Sequence, residues 1–398
     1  MKTIIFVFMA VAIFIWFLST LRQKPSHKKG CVDVIIPAYN EGPCLKQSLE
    51  NLLLNPYFCK VICVNDGSTD NTAEVMEEVK QKWGGRFIAV TQKNTGKGGA
   101  LMNGLNYVTC EQVFLSDADT YVPPDNDGIG YMLAEIERGA DAVGGVPSTT
   151  LKGAGFLPHI RATVKLPMIV MKRTLQQLLG GAPFIISGAC GMFRTDVLRK
   201  FGFSDRTKVE DLDLTWTLVA NGYCVRQVNR CVVYPQECNS LGDEWRRWRR
   251  WIIGYAVCMR LHKSLLFSRF GIFSIFPMVM VVLYGVGIYL VTWVNEFHAT
   301  GVHGVVQAIF PFLWVGVVCL IGAFSAWFHR CWVLVPLAPL SVLYVLLAYA
   351  IWIIYGPIAF FTGREPQRDK PTRYSALVET SETYSRPSST GSERLSET

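Results

Sequence analysis

Three uncharged apolar runs toward the C-terminal end constrain this chain more than any other feature. Ile272 to Val294 is 23 residues long, Val305 to Phe328 is 24 and Cys331 to Phe361 is 31. Each meets the roughly 20 apolar residues that an α-helix needs to cross a bilayer's hydrocarbon core. The chain is therefore expected to join a membrane part to a hydrophilic body. The third run contains Pro336, Pro339 and Pro357, so it is read as a third span that kinks or re-enters. Composition agrees: half of the residues are apolar and 18% are charged, where about 25% is usual for a soluble domain.

A fourth apolar run, Ile4 to Leu18, follows Lys2. A secretory signal would need a small-x-small cleavage site, and Phe17-Leu18-Ser19-Thr20 offers none. Arg22, Lys24, Lys28 and Lys29 come next, and the excess of cations on cytosolic flanks places this side in the cytosol. The expected organisation is an anchor at 1–22, a cytosolic domain at 30–262, a membrane region of about three spans at 263–361 and a tail at 362–398. The tail has 13 Ser or Thr in 37 residues and reads as disordered. The twelve cysteines include no C-x-x-C and no zinc-type spacing with histidine, so they read as reduced core residues, two of them in spans (Cys319 and Cys331).

Within 30–262 the pattern alternates between strand and helix. Val32 to Ile36 reads as a strand stopped by Pro37, Pro43 to Leu54 as a helix, and Val61 to Val64 as a second strand. A helix capped by Asn71 with Glu74 follows, then strands at 87–90 and 113–115 around a helix from Gly98 to Tyr107. This predicts an α/β domain with a mostly parallel sheet, whose ligands bind beyond the strand C-termini. No G-x-G-x-x-G is present, which disfavours a dinucleotide.

Four acidic clusters fall where strands end. They are Pro37-Ala38-Tyr39-Asn40-Glu41, Asn65-Asp66-Gly67-Ser68-Thr69-Asp70, Ser116-Asp117-Ala118-Asp119 and Val209-Glu210-Asp211-Leu212-Asp213. Each alone is ordinary turn chemistry; the succession is what is specific. Asp117 and Asp119 offer hard carboxylate oxygens suited to Mn²⁺ or Mg²⁺ beside a nucleotide's phosphates. Asn94-Thr95-Gly96-Lys97-Gly98-Gly99 puts glycines and a lysine at a helix N-terminus, which favours anions. It is not a Walker A loop, because the Lys-Ser/Thr pair is missing. Arg246, Arg247, Arg249 and Arg250 interleave with Trp245, Trp248 and Trp251, a pattern suited to a helix on a bilayer surface. Nucleic-acid binding is disfavoured, because this basic run adjoins apolar spans.

Taken together, these clusters, Lys97 and Arg247-Trp248-Arg249-Arg250-Trp251 resemble the processive family-2 glycosyltransferases, which include the synthases of cellulose, chitin, hyaluronan and poly-N-acetylglucosamine. The resemblance covers about 30–262. An anchor followed by three spans is similar to the nodulation chitooligosaccharide synthases. The run Glu210-Asp211-Leu212-Asp213-Leu214-Thr215-Trp216 is similar to the bacterial poly-N-acetylglucosamine synthases. Val209, where Thr is common, and Arg247 in place of Gln depart from the pattern and leave the polymer type open.

The resemblance implies a GT-A, Rossmann-like fold. It implies that Tyr39 and Asp66 hold the uracil end of UDP, with Glu41, Lys97, Asp117, Asp119, Arg247 and Arg250 also on the donor side. Asp117 and Asp119 would hold the metal. Asp211 would be the general base. Cys190, Gly191, Glu210 and Trp251 would face the acceptor. The implied activity is transfer from a UDP-sugar, with UDP-N-acetylglucosamine the first choice, onto a growing glycan at a lipid bilayer, inverting to a β-linkage. The protein would be a multi-pass protein of the plasma (inner) membrane, and its companions would be a second copy or an export partner. The competing readings are a single transfer to a ceramide or polyprenyl lipid and a non-enzymatic sugar-nucleotide sensor. The sensor is disfavoured by the intact Asp66, Asp119 and Asp211.

Overall fold

The computed structural model describes residues 24–151, 153–277 and 302–365. The anchor at 1–22, the span expected at 272–294 beyond Pro277, and the tail beyond Glu365 lie outside the described residues.

The body opens with β1 (Val32–Ala38), α1 (Gly42–Leu54), β2 (Phe58–Asp66), α2 (Thr72–Trp83), β3 (Phe87–Gln92) and α3 (Gly96–Leu105). It continues through β4 (Gln112–Leu115), β5 (Thr120–Tyr121), α4 (Gly128–Glu137), β6 (Ala142–Pro147), α5 (Phe156–Pro167) and α6 (Arg173–Gly180). Then come β7 (Gly191–Arg194), α7 (Thr195–Phe201), α8 (Glu210–Ala220), β8 (Val225–Pro235) and α9 (Leu241–Leu261). The strands lie in the order β3-β2-β1-β4-β7-β6-β8-β5. β3, β2, β1 and β4 run parallel, while β7 pairs antiparallel with both β4 and β6. The expected parallel α/β domain is therefore present as a mixed sheet.

Period-two alternation sorts the strand side chains onto two faces. Val32, Val34, Ile36, Val61, Cys63 and Phe114 pack with α1, α2 and α4 on one side. Ile35, Ile62, Val64, Val113 and Leu115 pack with α3, α8 and α9 on the other. Gly104 lets α3 approach this second face, since a Cβ there would lie 2.6 Å from Ile35 Cγ2.

Three local expectations need correction. Pro37 does not stop β1, which pairs with β2 as far as Ala38↔Asn65. Its pairing with β4 ends at Ile35↔Leu115, so the missing Pro37 N–H costs no ladder bond on that side. Asn71 occupies the N-cap of α2 without a capping side-chain hydrogen bond; Asp70 Oδ1 accepts from the Thr72 N–H at 3.1 Å instead. Of the cysteines, Cys59 is exposed rather than buried.

Beyond the body lie α10 (Lys263–Leu266), α11 (Val302–His329), α12 (Leu334–Leu337) and α13 (Ser341–Thr362). α11 covers the expected Val305–Phe328 stretch. Among the described residues, Leu334–Thr362, 29 residues, is the one helical stretch long and apolar enough to cross a membrane. α13 packs on α9, where Trp248 Nε1 donates to Tyr344 Oη at 2.6 Å. The body and this helix share one core, since Ala359 belongs to the same buried cluster as Val257 and Trp216.

Candidate active site

The order of the strands fixes where a site can form. β1 lies between β2 and β4, so the connections leave its two neighbours in opposite directions, and a crevice opens beyond the strand C-termini at this switch. The register Ile35↔Leu115 and Ala38↔Asn65 brings the ends of β1, β2 and β4 together at the same sheet edge. Tyr39, Asp66 and Asp117 therefore emerge together.

A cavity of about 950 Å³ fills this crevice. Every sequence-predicted site residue lines it except two: Tyr39, Glu41, Asp66, Lys97, Asp117, Asp119, Glu210, Asp211, Arg247, Arg250 and Trp251 all contribute. Cys190 and Gly191 do not. Both are buried behind the loop, Cys190 with its Sγ 3.7 Å from Cys231 Sγ and Gly191 against Ile186 and Phe193. Strand β7 begins at Gly191 and turns these residues into the sheet; Ser187 and Ala189 of the same loop face the cavity instead.

Loop-to-loop hydrogen bonds hold the end of the cavity at Tyr39 and Asp66. Asn40 Oδ1 accepts from the Thr69 N–H at 2.7 Å, and Ser68 Oγ accepts from the Asn40 N–H at 2.9 Å. Asp66 accepts from the Thr95 N–H at 2.8 Å, the Gly96 N–H at 2.9 Å and Gln92 Nε2 at 2.8 Å. It thereby satisfies donors at the start of α3 that the helix itself leaves open, and so fixes the loop that carries Lys97. On the expectation that Asp66 holds the uracil end of UDP, Asp66→Ala should lose nucleotide binding before it loses turnover per bound nucleotide. Calorimetric titration with UDP checks this, and unchanged UDP affinity would contradict it.

At the centre, Lys97 Nζ lies 2.7 Å from Asp117 Oδ1 and 3.1 Å from Glu210 Oε1. Gly188 closes this group: its N–H donates to Asp211 Oδ2 at 3.0 Å, and a Cβ there would meet Lys97 Nζ at 2.8 Å. Asp211 is half-buried, and burial followed by the neighbouring Glu210 raises its carboxyl above the ordinary range, although Lys97 and the Gly188 N–H oppose this. The result is a carboxylate of strengthened basicity at a cavity wall.

Asp213, two residues on, is turned the other way. Its oxygens receive Arg206 Nε and Nη2, both at 2.9 Å, and His262 Nε2 lies 2.7 Å away. Burial works to raise its pKa, but His262 and Arg206 outweigh it and hold the carboxyl low. Asp213 therefore anchors α8, as does fully buried Trp216, whose Nε1 donates to Phe184 O at 2.9 Å.

The far end of the cavity contains residues that sequence reasoning missed. Arg161, Lys165, Lys172, Arg173 and Glu237 line it, together with Tyr344, Ala348 and Trp352 of α13. Glu237 pairs with Arg161, Lys165 and Arg247. Burial raises Glu237, but Arg161 and Lys165 outweigh that and hold it low. Burial brings Lys165 and Lys172 down to about 8. The guanidinium carbons of Arg161 and Arg247 each lie 5.5 Å from the Trp251 ring centroid, within cation–π range. One signal was available: Gln236-Glu237 directly follows β8, as the first three acidic clusters follow β1, β2 and β4.

The sequence profile of glycosyl transferase family 2 matches residues 33–202. Over the full length of both chains, this one is 85% identical to the Escherichia coli K12 protein YaiP, described as an uncharacterised glycosyltransferase. It is 29% identical to the poly-beta-1,6-N-acetyl-D-glucosamine synthase of Staphylococcus epidermidis over 243 residues, spanning 60% of this chain and 58% of the synthase. Among solved structures it is similar to the mannosyltransferase PcManGT from Pyrobaculum calidifontis in complex with GDP-Man and Mn²⁺. That likeness has a TM-score of 0.59 at 17% identity, covers 89% of this chain and 96% of that one, and shows the shared GT-A fold. The chain belongs to the family-2 glycosyltransferases, and it is an enzyme that transfers a sugar.

Proposed function

We propose that this glycosyltransferase is processive and inverting, and that it extends a glycan from a UDP-sugar donor, with UDP-N-acetylglucosamine the first choice, at the cytosolic face of a membrane. The observation that carries the reading is the single cavity running from Tyr39 and Asp66, past Lys97, Asp117 and Asp211, to Trp251 and the apolar helix α13. A donor at one end and an elongating acceptor at the other would meet beside Asp211.

In this reading Tyr39 packs on the uracil, and the loop held by Asp66 brings Lys97 to the diphosphate. Asp211 accepts the proton of the acceptor hydroxyl as the new bond forms opposite the departing UDP, which inverts the anomeric carbon with a single base. Arg250 supplies positive charge toward the leaving diphosphate, whereas Arg247, expected on the donor side, is paired with Glu237 and Glu244 and lies against Trp251 at the far end. Trp251, between two guanidinium groups, gives the acceptor sugar an apolar wall.

The residues fit a divalent cation. Asp119 is nearly buried yet faces the cavity, Thr120 Oγ1 lies 3.5 Å from its Oδ1, and Asp117 adds a second carboxylate. These are hard oxygen donors that suit Mn²⁺ or Mg²⁺. When bound, the cation would offset charge on the departing diphosphate.

Product size tests the reading. Purified full-length protein in detergent with UDP-N-acetylglucosamine should give a ladder of oligosaccharides on gel or by mass spectrometry. One sugar on a lipid, with no ladder, would favour the single-transfer reading and contradict processivity.

A further inference from the structure

α13 has the length and hydropathy of a span, yet its contacts describe something else. We propose that Leu334–Thr362 does not cross the bilayer but lies along its cytosolic surface, with one apolar face on lipid, and that the chain after it returns to the catalytic side. This rests on the membrane reading above.

The first observation is where the two ends of this segment sit. At the leading end, Leu334 is buried with Ala162 and Ala326, and Leu151 packs against them. Tyr344 Oη bonds to Glu244 of α9. At the trailing end, Arg260 of α9 donates to the Phe361 carbonyl. Glu365 Oε1 accepts from Thr207 Oγ1 at 2.6 Å and its Oε2 from the Lys208 N–H at 2.5 Å. Thr207 and Lys208 belong to the loop that leads into Glu210 and Asp211. A crossing helix must deliver its two ends to opposite sides of a core about 30 Å thick. Here both ends rest on one catalytic body, and the helix packs on α9, whose five arginines exclude a crossing of its own.

The second observation is the division of faces. Tyr344, Ala348, Ile351 and Ala359 are buried, whereas Leu343, Leu346, Ile354, Ile358 and Phe361 are exposed. At about 100° per residue the buried set falls within roughly 80° of arc, whereas the exposed set, which also includes Val342 and Ile353, spreads over roughly 160° of the rest of the circumference. One side packs on the protein and the other offers an apolar surface to lipid. Exposed Trp327 and Trp332 at the turn before it have the amphipathic rings that collect at headgroup level.

The preceding helix agrees. α11 ends at the body, where Ser325 Oγ donates to Ala162 O at 2.5 Å and Ser148 Oγ lies 3.4 Å from His329 Nε2. With the span expected from sequence at 272–294 as the outward crossing and α11 as the return, Arg364, Arg368, Lys370 and Arg373 are expected on the cytosolic side, where such cations collect. Three crossings would export them.

The test uses the full chain with an epitope tag after Thr398. The tag should be protected from protease in spheroplasts and digested in inside-out membrane vesicles; digestion in spheroplasts would overturn the proposal. Alkaline carbonate extraction separates the two readings: protein released from membranes overturns the membrane reading itself, whereas retained protein with an external tag overturns only this one. Ile354→Lys probes the helix directly. On an interfacial face the lysine can snorkel to water, so membrane-bound protein should stay within about twofold of wild type. A tenfold or greater loss would mean that the helix crosses.

Discussion

Replacing Asp211 by asparagine should lower sugar transfer by roughly 10²-fold or more, the usual scale for losing a general base, while UDP affinity stays within a few-fold. The amide keeps the size of the side chain and an oxygen for the Gly188 N–H, which donates to Asp211 Oδ2 at 3.0 Å. It cannot take a proton at neutral pH. A loss of that size is about 2.7 kcal/mol of transition-state stabilisation. The pH profile gives a second readout. Burial and Glu210 raise the Asp211 carboxyl above the ordinary range. The base works only when ionised, so the rate should rise with pH through this raised pKa, with its acidic limb above the usual carboxylate range. Asp211→Asn should erase that limb. Near-normal synthesis by Asp211→Asn would remove the assignment. Glu210, at 3.1 Å from Lys97, would then be the candidate, and Asp213 would not, because Arg206 and His262 hold it away from the cavity.

Asp117→Ala and Asp119→Ala should each reduce transfer to background without unfolding the protein. Both carboxylates follow β4, and both face the cavity. Asp117→Ala also removes the acceptor 2.7 Å from Lys97 Nζ and should release that ammonium toward Glu210. The two variants therefore differ in a way a binding assay can read: Asp119→Ala should abolish Mn²⁺-dependent tightening of UDP binding, whereas Asp117→Ala should also alter UDP binding in EDTA. Circular dichroism and melting curves close to wild type would exclude misfolding as the cause. Transfer that persists undiminished in EDTA would contradict a metal role for either residue.

The sequence is most informative where one periodicity dominates. Val32 to Ile36 and Val61 to Val64 are buried on both faces and read as continuous apolar strands, as parallel strands covered by helices do. The first three acidic clusters were legible because each follows a strand, and the switch at β1 brings them into one cavity; the fourth was misplaced, since Val209 to Asp213 follows α7 and a loop and opens α8 instead of ending a strand. Tertiary geometry decides the rest. Cys190 and Gly191 sit in a loop whose pattern resembles an acceptor-side motif, but which of its residues face the cavity depends on where β7 starts. The four cations on α5, α6 and the turn between them look like a solvated helix face in sequence; α9 and α13 cover them and turn them into a wall. The span-like hydropathy of Leu334–Thr362 is accurate as composition, but it carries no information about where Glu365 lands.

Donor turnover tests the central claim most directly. Purified full-length protein in detergent is incubated with each common UDP-sugar and with Mn²⁺ or Mg²⁺, and released UDP is measured. The account predicts release with UDP-N-acetylglucosamine above all other donors, dependent on the divalent cation and lost in Asp211→Asn. Equal, background-level UDP release from every donor by a folded, membrane-extracted protein, or release unchanged in Asp211→Asn, would contradict it.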